Sequence, residues 1–165
     1  MNDVIQKNES KLARFVGRKG KVITFTDFNI PSIQSNAGML DMKIRVMKSA
    51  GDKVILCQII KQHECEVKVA SIEENDLIEL IKAIEALETS SVLDANTKSD
   101  YLESKYVTED GFKVGYYVSE GKINWFIVFD DYGSEIDFFG DSIFSVKEGL
   151  ATASKAIFQV KEQTV

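Results

Sequence analysis

The side chains best suited to catalysis or metal binding in this sequence are a single histidine and two cysteines. His63 stands in the run QHEC, which we interpret as a turn between two strands. A serine or cysteine nucleophile normally needs a nearby base, and a histidine in such a turn is ordinarily solvated. We therefore expect no catalytic residue and no enzymatic activity.

Cys57 and Cys65 are predicted to lie on neighbouring strands of one hairpin. Together with His63 they lack a fourth soft ligand and the paired CxxC spacing of structural zinc. The chain shows no export signal, so reduced thiols are the simpler interpretation. The sequence predicts no metal site and no cofactor.

The densest carboxylate cluster belongs to the last third of the chain. Strand alternation sends two of its members to one face, and no DxDxDG calcium loop is present. We expect a solvated acidic sheet edge that discourages aggregation. A carboxylate-based enzyme site would be the alternative if a deep pocket were found there. The cluster consists of Asp130, Asp131, Glu135, Asp137 and Asp141.

One basic patch is readable near the N-terminus, with Lys43, Arg45 and Lys48 on a strand that could lie beside it. Such cations could neutralise the phosphates of a single-stranded nucleic acid. They could equally solvate a helix end and pair with acidic groups elsewhere in the chain. The segment GRKGK is not a Walker loop, which follows a strand and ends in Gly-Lys-Ser/Thr. The patch consists of Lys11, Arg14, Arg18, Lys19 and Lys21.

The net charge of −6 hides a division between the two parts of the chain. Residues 1–62 carry eleven Lys or Arg against five Asp or Glu, whereas residues 63–165 carry nine against twenty-one. The first part is thus net +6 and the second net −12. Such asymmetry fits a polyanion-binding segment, or attraction between the two halves or between two copies of the chain.

Length and composition indicate a globular protein. A chain of 165 residues, 44% hydrophobic and 28% charged, can bury a core. The first residues lack a secretory signal, and no stretch approaches the roughly 20 apolar residues that cross a bilayer. We expect a soluble, cytoplasmic protein.

The periodicity predicts an α+β fold made of an N-terminal helix and two tandem units, each with four antiparallel strands and a following helix. Residues 1–20 form the N-terminal helix and basic segment, 21–88 the first unit, 89–100 a linker and 101–165 the second unit. The run 29–38, which holds the only proline, reads as a loop. A shift of 69 positions places Val54 on Ile123 and Leu56 on Trp125, which suggests an internal repeat.

The middle strand of each unit is apolar on both faces, unlike a strand with one solvated face. One face can be covered by the helix of its own unit. The other can be covered by the second sheet or by a second chain. The interface residues predicted on this basis are Trp125, Phe126, Val128 and Phe139.

These patterns favour a non-catalytic binding or regulatory module whose partner is a protein, including a copy of itself. Single-stranded nucleic-acid binding through the basic patch is the alternative, and a small carboxylate-based enzyme is the third possibility.

Overall fold

The structure, a computed structural model, describes residues 9–131 and 136–163 apart from the side chain of His63. It is of the α+β class with two antiparallel four-stranded sheets, as predicted. The first sheet has the order β1-β2-β3-β4 and the second β5-β6-β7-β8. The elements are α1 (Lys11–Val16), β1 (Thr24–Ser35), β2 (Gly38–Ser49), β3 (Asp52–His63), β4 (Glu66–Glu73), α2 (Glu74–Asp94), β5 (Leu102–Val107), β6 (Lys113–Ser119), β7 (Lys122–Val128), β8 (Ile136–Gly140) and α3 (Phe144–Gln163).

Strand β1 corrects the prediction of a loop over residues 29–38. It continues through Pro31 to Ser35, and its register with β2 shifts between Ile30 and Ile33. Proline cannot donate a ladder hydrogen bond, so it is tolerated on an edge strand and at a bulge. Pro31 lies on the edge strand β1 and at this register shift, so it does not end the strand.

The structure gives the bounds of α1 and α2. Helix α1 begins at Lys11, after the cap residue Ser10, and residues 1–8 of the predicted N-terminal helix and basic segment lie outside the described residues. Helix α2 continues to Asp94, well into the segment assigned to a linker. Ser91 lies on its buried face, so tertiary contact extends the helix through a stretch that reads as polar.

Helices α2 and α3 pack against each other and cover the inner faces of both sheets, but not in the predicted pairing. Helix α3 lies mainly along β1 of the first sheet, and α2 contacts β5 and β6 as well as β3 and β4. Close packing of α3 on the first sheet depends on Gly149, since a Cβ there would lie 2.6 Å from Ile33 Cγ1. Each helix thus helps to cover the sheet of the other unit.

A buried tyrosine fixes α2 to the second sheet. Tyr116 on β6 contacts the Ser90 hydroxyl at 2.8 Å and donates a hydrogen bond to Asp94, both from α2. Burial, together with the hydrogen bond to Asp94, raises the pKa of Tyr116. The phenol therefore stays protonated and continues to donate.

The two sheets meet where β8 approaches β1. Asn36 N donates to Phe138 O at 3.2 Å. Nearby, Lys61 on β3 forms an ion pair with Asp137 on β8, whose side chain is fully buried. A single apolar cluster extends over both inner faces and helices α2 and α3. The two units therefore share one core.

The outer face of the first sheet is partly covered by α1. Leu12 and Phe15 of this helix pack on Met47, Val54 and Leu56. Ser10 Oγ accepts from Ala13 N at 3.1 Å and donates to Asp110 after β5. Of the helices in the described residues, none is long and apolar enough to span a membrane.

Candidate functional site

The outer face of the second sheet has no helix over it in the described part of the chain. Its side chains form three rows that run across the strands. The antiparallel register places them as follows: Val107, Lys113, Val128 and Ile136 in one row, Lys105, Gly115, Phe126 and Phe138 in the next, and Glu103, Tyr117 and Asn124 in the third. We call this surface, together with Tyr101, the open face.

Aromatic rings dominate the open face. Tyr101 stacks on Tyr117 with ring centroids 6.0 Å apart, and Tyr117 meets Phe138 edge-on at 6.4 Å. Tyr101 is 60% exposed and Phe138 is 42% exposed, and Ile136 and Val107 are also exposed. Contiguous apolar surface of this kind is typical of interaction sites.

The centre of the open face is tightly packed although no helix of the described residues lies over it. Gly115 permits this, because a Cβ at that position would lie 2.4 Å from Ser104 O and 2.6 Å from Lys105 Cβ. With no side chain in the way, Lys105 lies close to the sheet. Phe126 and Val128 on this face are buried.

Both signs of charge occur on and beside the open face. Lys105 Nζ lies 3.5 Å from Glu103 Oε2, and Lys113 Nζ lies 3.8 Å from Asp131 Oδ1. These loose pairs are partly exposed, so each member can find a new partner at low cost. The rows of the open face thus combine apolar residues with charged residues of both signs.

Only two of the four predicted interface residues lie on the open face. Phe126 and Val128 do, whereas Trp125 and Phe139 point into the shared core, with exposed fractions of 2% and 9%. Strand alternation explains the division, because neighbouring residues point to opposite faces. Sequence reasoning missed Tyr101, Tyr117, Ile136 and Phe138, although the alternation of Ile136 with Asp137 and of Phe138 with Phe139 was a readable signal.

The predicted basic patch is partly neutralised by carboxylates. Lys11 pairs with Glu73 at 2.9 Å and Arg18 with Asp52 at 2.7 Å. Arg14, Lys19 and Lys21 are exposed at or just after α1. The neighbouring Lys43 and Arg45 both pair with Asp27 on β1.

The acidic cluster is not a uniformly solvated edge. Asp137 faces the core and pairs with Lys61, which corrects its predicted exposure. Asp131 and Asp141 are exposed and Asp130 is half-buried, whereas Glu135 lies outside the described residues. The partner of Asp137 comes from the other unit, so strand alternation alone could not reveal it.

The two thiols have different environments. Cys57 is buried on β3, and burial raises its pKa to about 12. Cys65 is exposed and lies in the turn between β3 and β4 rather than on a strand. Both are free. In the described part of the chain, no group of three or more His, Cys, Asp or Glu side chains is placed to hold a metal ion.

A scan against protein-family models, a search of curated proteins and a search of solved structures found no match to this chain.

Proposed function

We propose that this protein is a non-catalytic binding module that associates with a second copy of itself through the open face. The observation that carries the proposal is the continuous aromatic and aliphatic surface formed by Tyr101, Tyr117, Phe138 and Ile136. On the first sheet the corresponding face is covered in part by α1. On the second sheet a partner chain would take the place of that helix.

The charges around the open face favour a second copy as the partner. A two-fold interface brings a surface against itself, so that surface must carry both signs of charge. Glu103 and Lys105 on β5 meet this condition, as do Lys113 and Asp131 on the opposite side of the rows. Each lysine of one copy can pair with a carboxylate of the other.

Sedimentation velocity over a concentration series tests the proposal. The wild-type chain is expected to form a reversible dimer at micromolar concentrations. Phe138→Lys places a charge in the apolar row and is expected to weaken the dimer at least ~10-fold, or about 1.4 kcal/mol. Phe158→Lys is the matched control, since Phe158 is an exposed phenylalanine on α3, and it should leave the dimer unchanged.

Two outcomes contradict self-association: a wild-type chain that stays monomeric throughout the series, or equal weakening by both substitutions. Circular dichroism of each variant separates loss of the interface from loss of the fold. A monomeric chain that binds a different protein through the open face would keep the binding module and replace its partner.

The alternative, single-stranded nucleic-acid binding, would use the exposed Arg14, Lys19 and Lys21. Charge reversal of Arg18, Lys19 and Lys21 discriminates the two functions. It should abolish oligonucleotide binding if that is the activity, and it should leave the dimer of the open face intact.

A further inference from the structure

The turn between β2 and β3 carries two lysines that face each other and have no ion-pair partner among the described residues. Lys48 and Lys53 are directly opposed in the antiparallel register, and both are exposed. Like charges in opposed positions of a sheet destabilise it. Among the described residues neither lysine pairs with a carboxylate, so this repulsion is not compensated within the chain.

The equivalent turn of the second sheet shows what the fold itself requires. Both turns have two central residues with positive φ: Ala50 and Gly51 in one, Glu120 and Gly121 in the other. Two-residue hairpin loops favour this geometry. In the second sheet the pair in the position of Lys48 and Lys53 is Val118 and Ile123. Both pack in or against the core.

The hairpin geometry therefore does not itself require lysines at this pair. Two opposed like charges at an exposed end of the sheet are a feature that an anionic ligand can explain.

The two lysines line a cleft together with Val22, Thr24 and the turn residues. Thr24 lies opposite Lys48 in the register and adds a hydroxyl to the same row. The one carboxylate in the cleft wall, Asp52, accepts a hydrogen bond from Arg18 Nη2 at 2.7 Å. Asp52 is thus already neutralised, and the charge of the lysines remains available.

Arg18 is itself held in a fixed position. Its Nη1 donates to Ser49 O at 3.2 Å, and its guanidinium lies 4.4 Å from the centre of the Phe15 ring. Because Arg18 touches the turn and Val22 lines the cleft, the exposed Lys19 and Lys21 between them lie at the same end of the sheet. We call Arg18, Lys19, Lys21, Lys48 and Lys53 together the basic end.

We propose that the basic end binds a small ligand with a diphosphate group, such as inorganic pyrophosphate or a nucleoside diphosphate. Opposed side chains have Cβ atoms about 5 Å apart, so both ammonium groups can reach one diphosphate. The Thr24 hydroxyl can add a hydrogen bond, and Lys19 and Lys21 extend the positive field around the cleft. The site lies on the first sheet and is independent of the open face.

Isothermal titration calorimetry with inorganic pyrophosphate at ~50 mM salt, where surface electrostatics are weakly screened, tests the site. We expect saturable binding with one site per chain. Lys48→Ala with Lys53→Ala should reduce the affinity at least ~10-fold. Lys122→Ala with Lys155→Ala removes the same charge from exposed positions on β7 and α3, and it should leave the affinity within about twofold if the site is local.

Thermal unfolding shows whether a substitution changes the stability of the fold as well as the binding of the ligand. Without ligand, the Lys48/Lys53 variant should unfold at the wild-type temperature or slightly above it, since like charges have been removed. With pyrophosphate, the wild type and the Lys122/Lys155 variant should gain stability. The Lys48/Lys53 variant should gain little.

Titration with a nucleoside diphosphate as a second probe shows whether the site prefers a free diphosphate or one that is part of a nucleotide. Binding of either compound that depends on Lys48 and Lys53 supports the site. The compound that binds more tightly is the one that the site prefers. Absence of saturable binding, or equal loss in both lysine variants, overturns the proposal. Binding of a single-stranded oligonucleotide with no binding of pyrophosphate also overturns it, and assigns these cations to the alternative function.

Discussion

The two sheets share a topology but differ in what lies on their outer faces. The first sheet carries α1 at one end and an ion network at Asp27, Lys43 and Arg45. The second sheet has the open face, with rows of aromatic and aliphatic residues. The inner faces are alike, because both pack against α2 and α3 in one core.

The difference shows that the inner faces form the core, whereas the outer faces are not needed for it. The inner faces must be apolar for the core to form, and the sequence meets that need in both units. The outer faces are free to diverge. A short helix and salt bridges make one of them compatible with water, whereas the other carries no helix in the described part of the chain.

The largest effect is expected where the two sheets are joined. Asp137→Ala removes the buried carboxylate that Lys61 meets inside the protein. The loss in free energy of unfolding should be about 3–5 kcal/mol, because the largely buried ammonium group of Lys61 loses its ion pair with Asp137. Urea unfolding measures it.

Replacement of both partners is the control for that experiment. Lys61→Met with Asp137→Leu should recover most of the lost stability, since apolar pairs of similar size substitute well for buried ion pairs. A loss below about 1 kcal/mol in the single variant would mean that the pair behaves like an exposed one.

The next effect concerns the cover of the first sheet. Phe15→Ala should cost about 2–4 kcal/mol, because it leaves a cavity over Met47 and Leu56. It should also increase self-association, since it uncovers an apolar outer face. Val16→Ala, at an exposed position of the same helix, should change stability by less than about 0.5 kcal/mol. An equal effect of both substitutions would contradict the role of α1 as a cover.

Two adjacent tyrosines on β6 compare the inner and outer faces directly. Tyr116→Phe should cost about 1–2 kcal/mol, because Ser90 and Asp94 lose a buried partner. Tyr117→Phe on the open face should cost less than about 0.5 kcal/mol. Thermal or urea unfolding of the two variants side by side measures the contrast, and similar losses would refute it.

The smallest effect is a pH dependence at the ion network of the first sheet. The hydrogen bond from Arg45 lowers the pKa of Asp27 from 3.8 to about 2. Since the folded-state pKa is depressed, the ionised carboxylate stabilises the fold above about pH 4 and its contribution is lost as the pH falls towards 2. Asp27→Asn should cost at most about 1 kcal/mol at neutral pH, because the Asp27 side chain is a third exposed.

That cost should disappear near the lower pH. Unfolding of the wild type and the variant between neutral pH and pH 2 measures it, and a difference that persists throughout would exclude titration of Asp27 as its cause.

The strength and the limit of sequence reasoning are both visible in the middle strands. The double-sided apolar pattern of β3 and β7 correctly placed them at the centre of their sheets, and the turns correctly made the neighbours antiparallel. The shift of 69 positions, however, laid the outward Leu56 on the inward Trp125. Alignment by the two equivalent turns requires a shift of 70, which places the inward Ile55 on Trp125. A slip of one residue exchanges the faces of a strand.

The candidate sites also depend on the register of single residues. The sequence indicates Lys48 as a possible neighbour of the basic patch, but it does not indicate Lys53. Their pairing could have been read from the Ala50-Gly51 turn, since two-residue hairpins set the register. The open face could not be read in full, because it depends on which side of the second sheet the helices cover.

The amino-acid sequence by itself determined the class of fold, the number of strands and their antiparallel order, since these follow from local periodicity and short turns. Only the tertiary structure decided that α3 lies along the first sheet, that Lys61 meets Asp137, and that among the described helices α1 partly covers the outer face of the first sheet and none covers that of the second. Those features depend on contacts between residues far apart in the chain, and local patterns of side chains carry no information about which distant surfaces will meet.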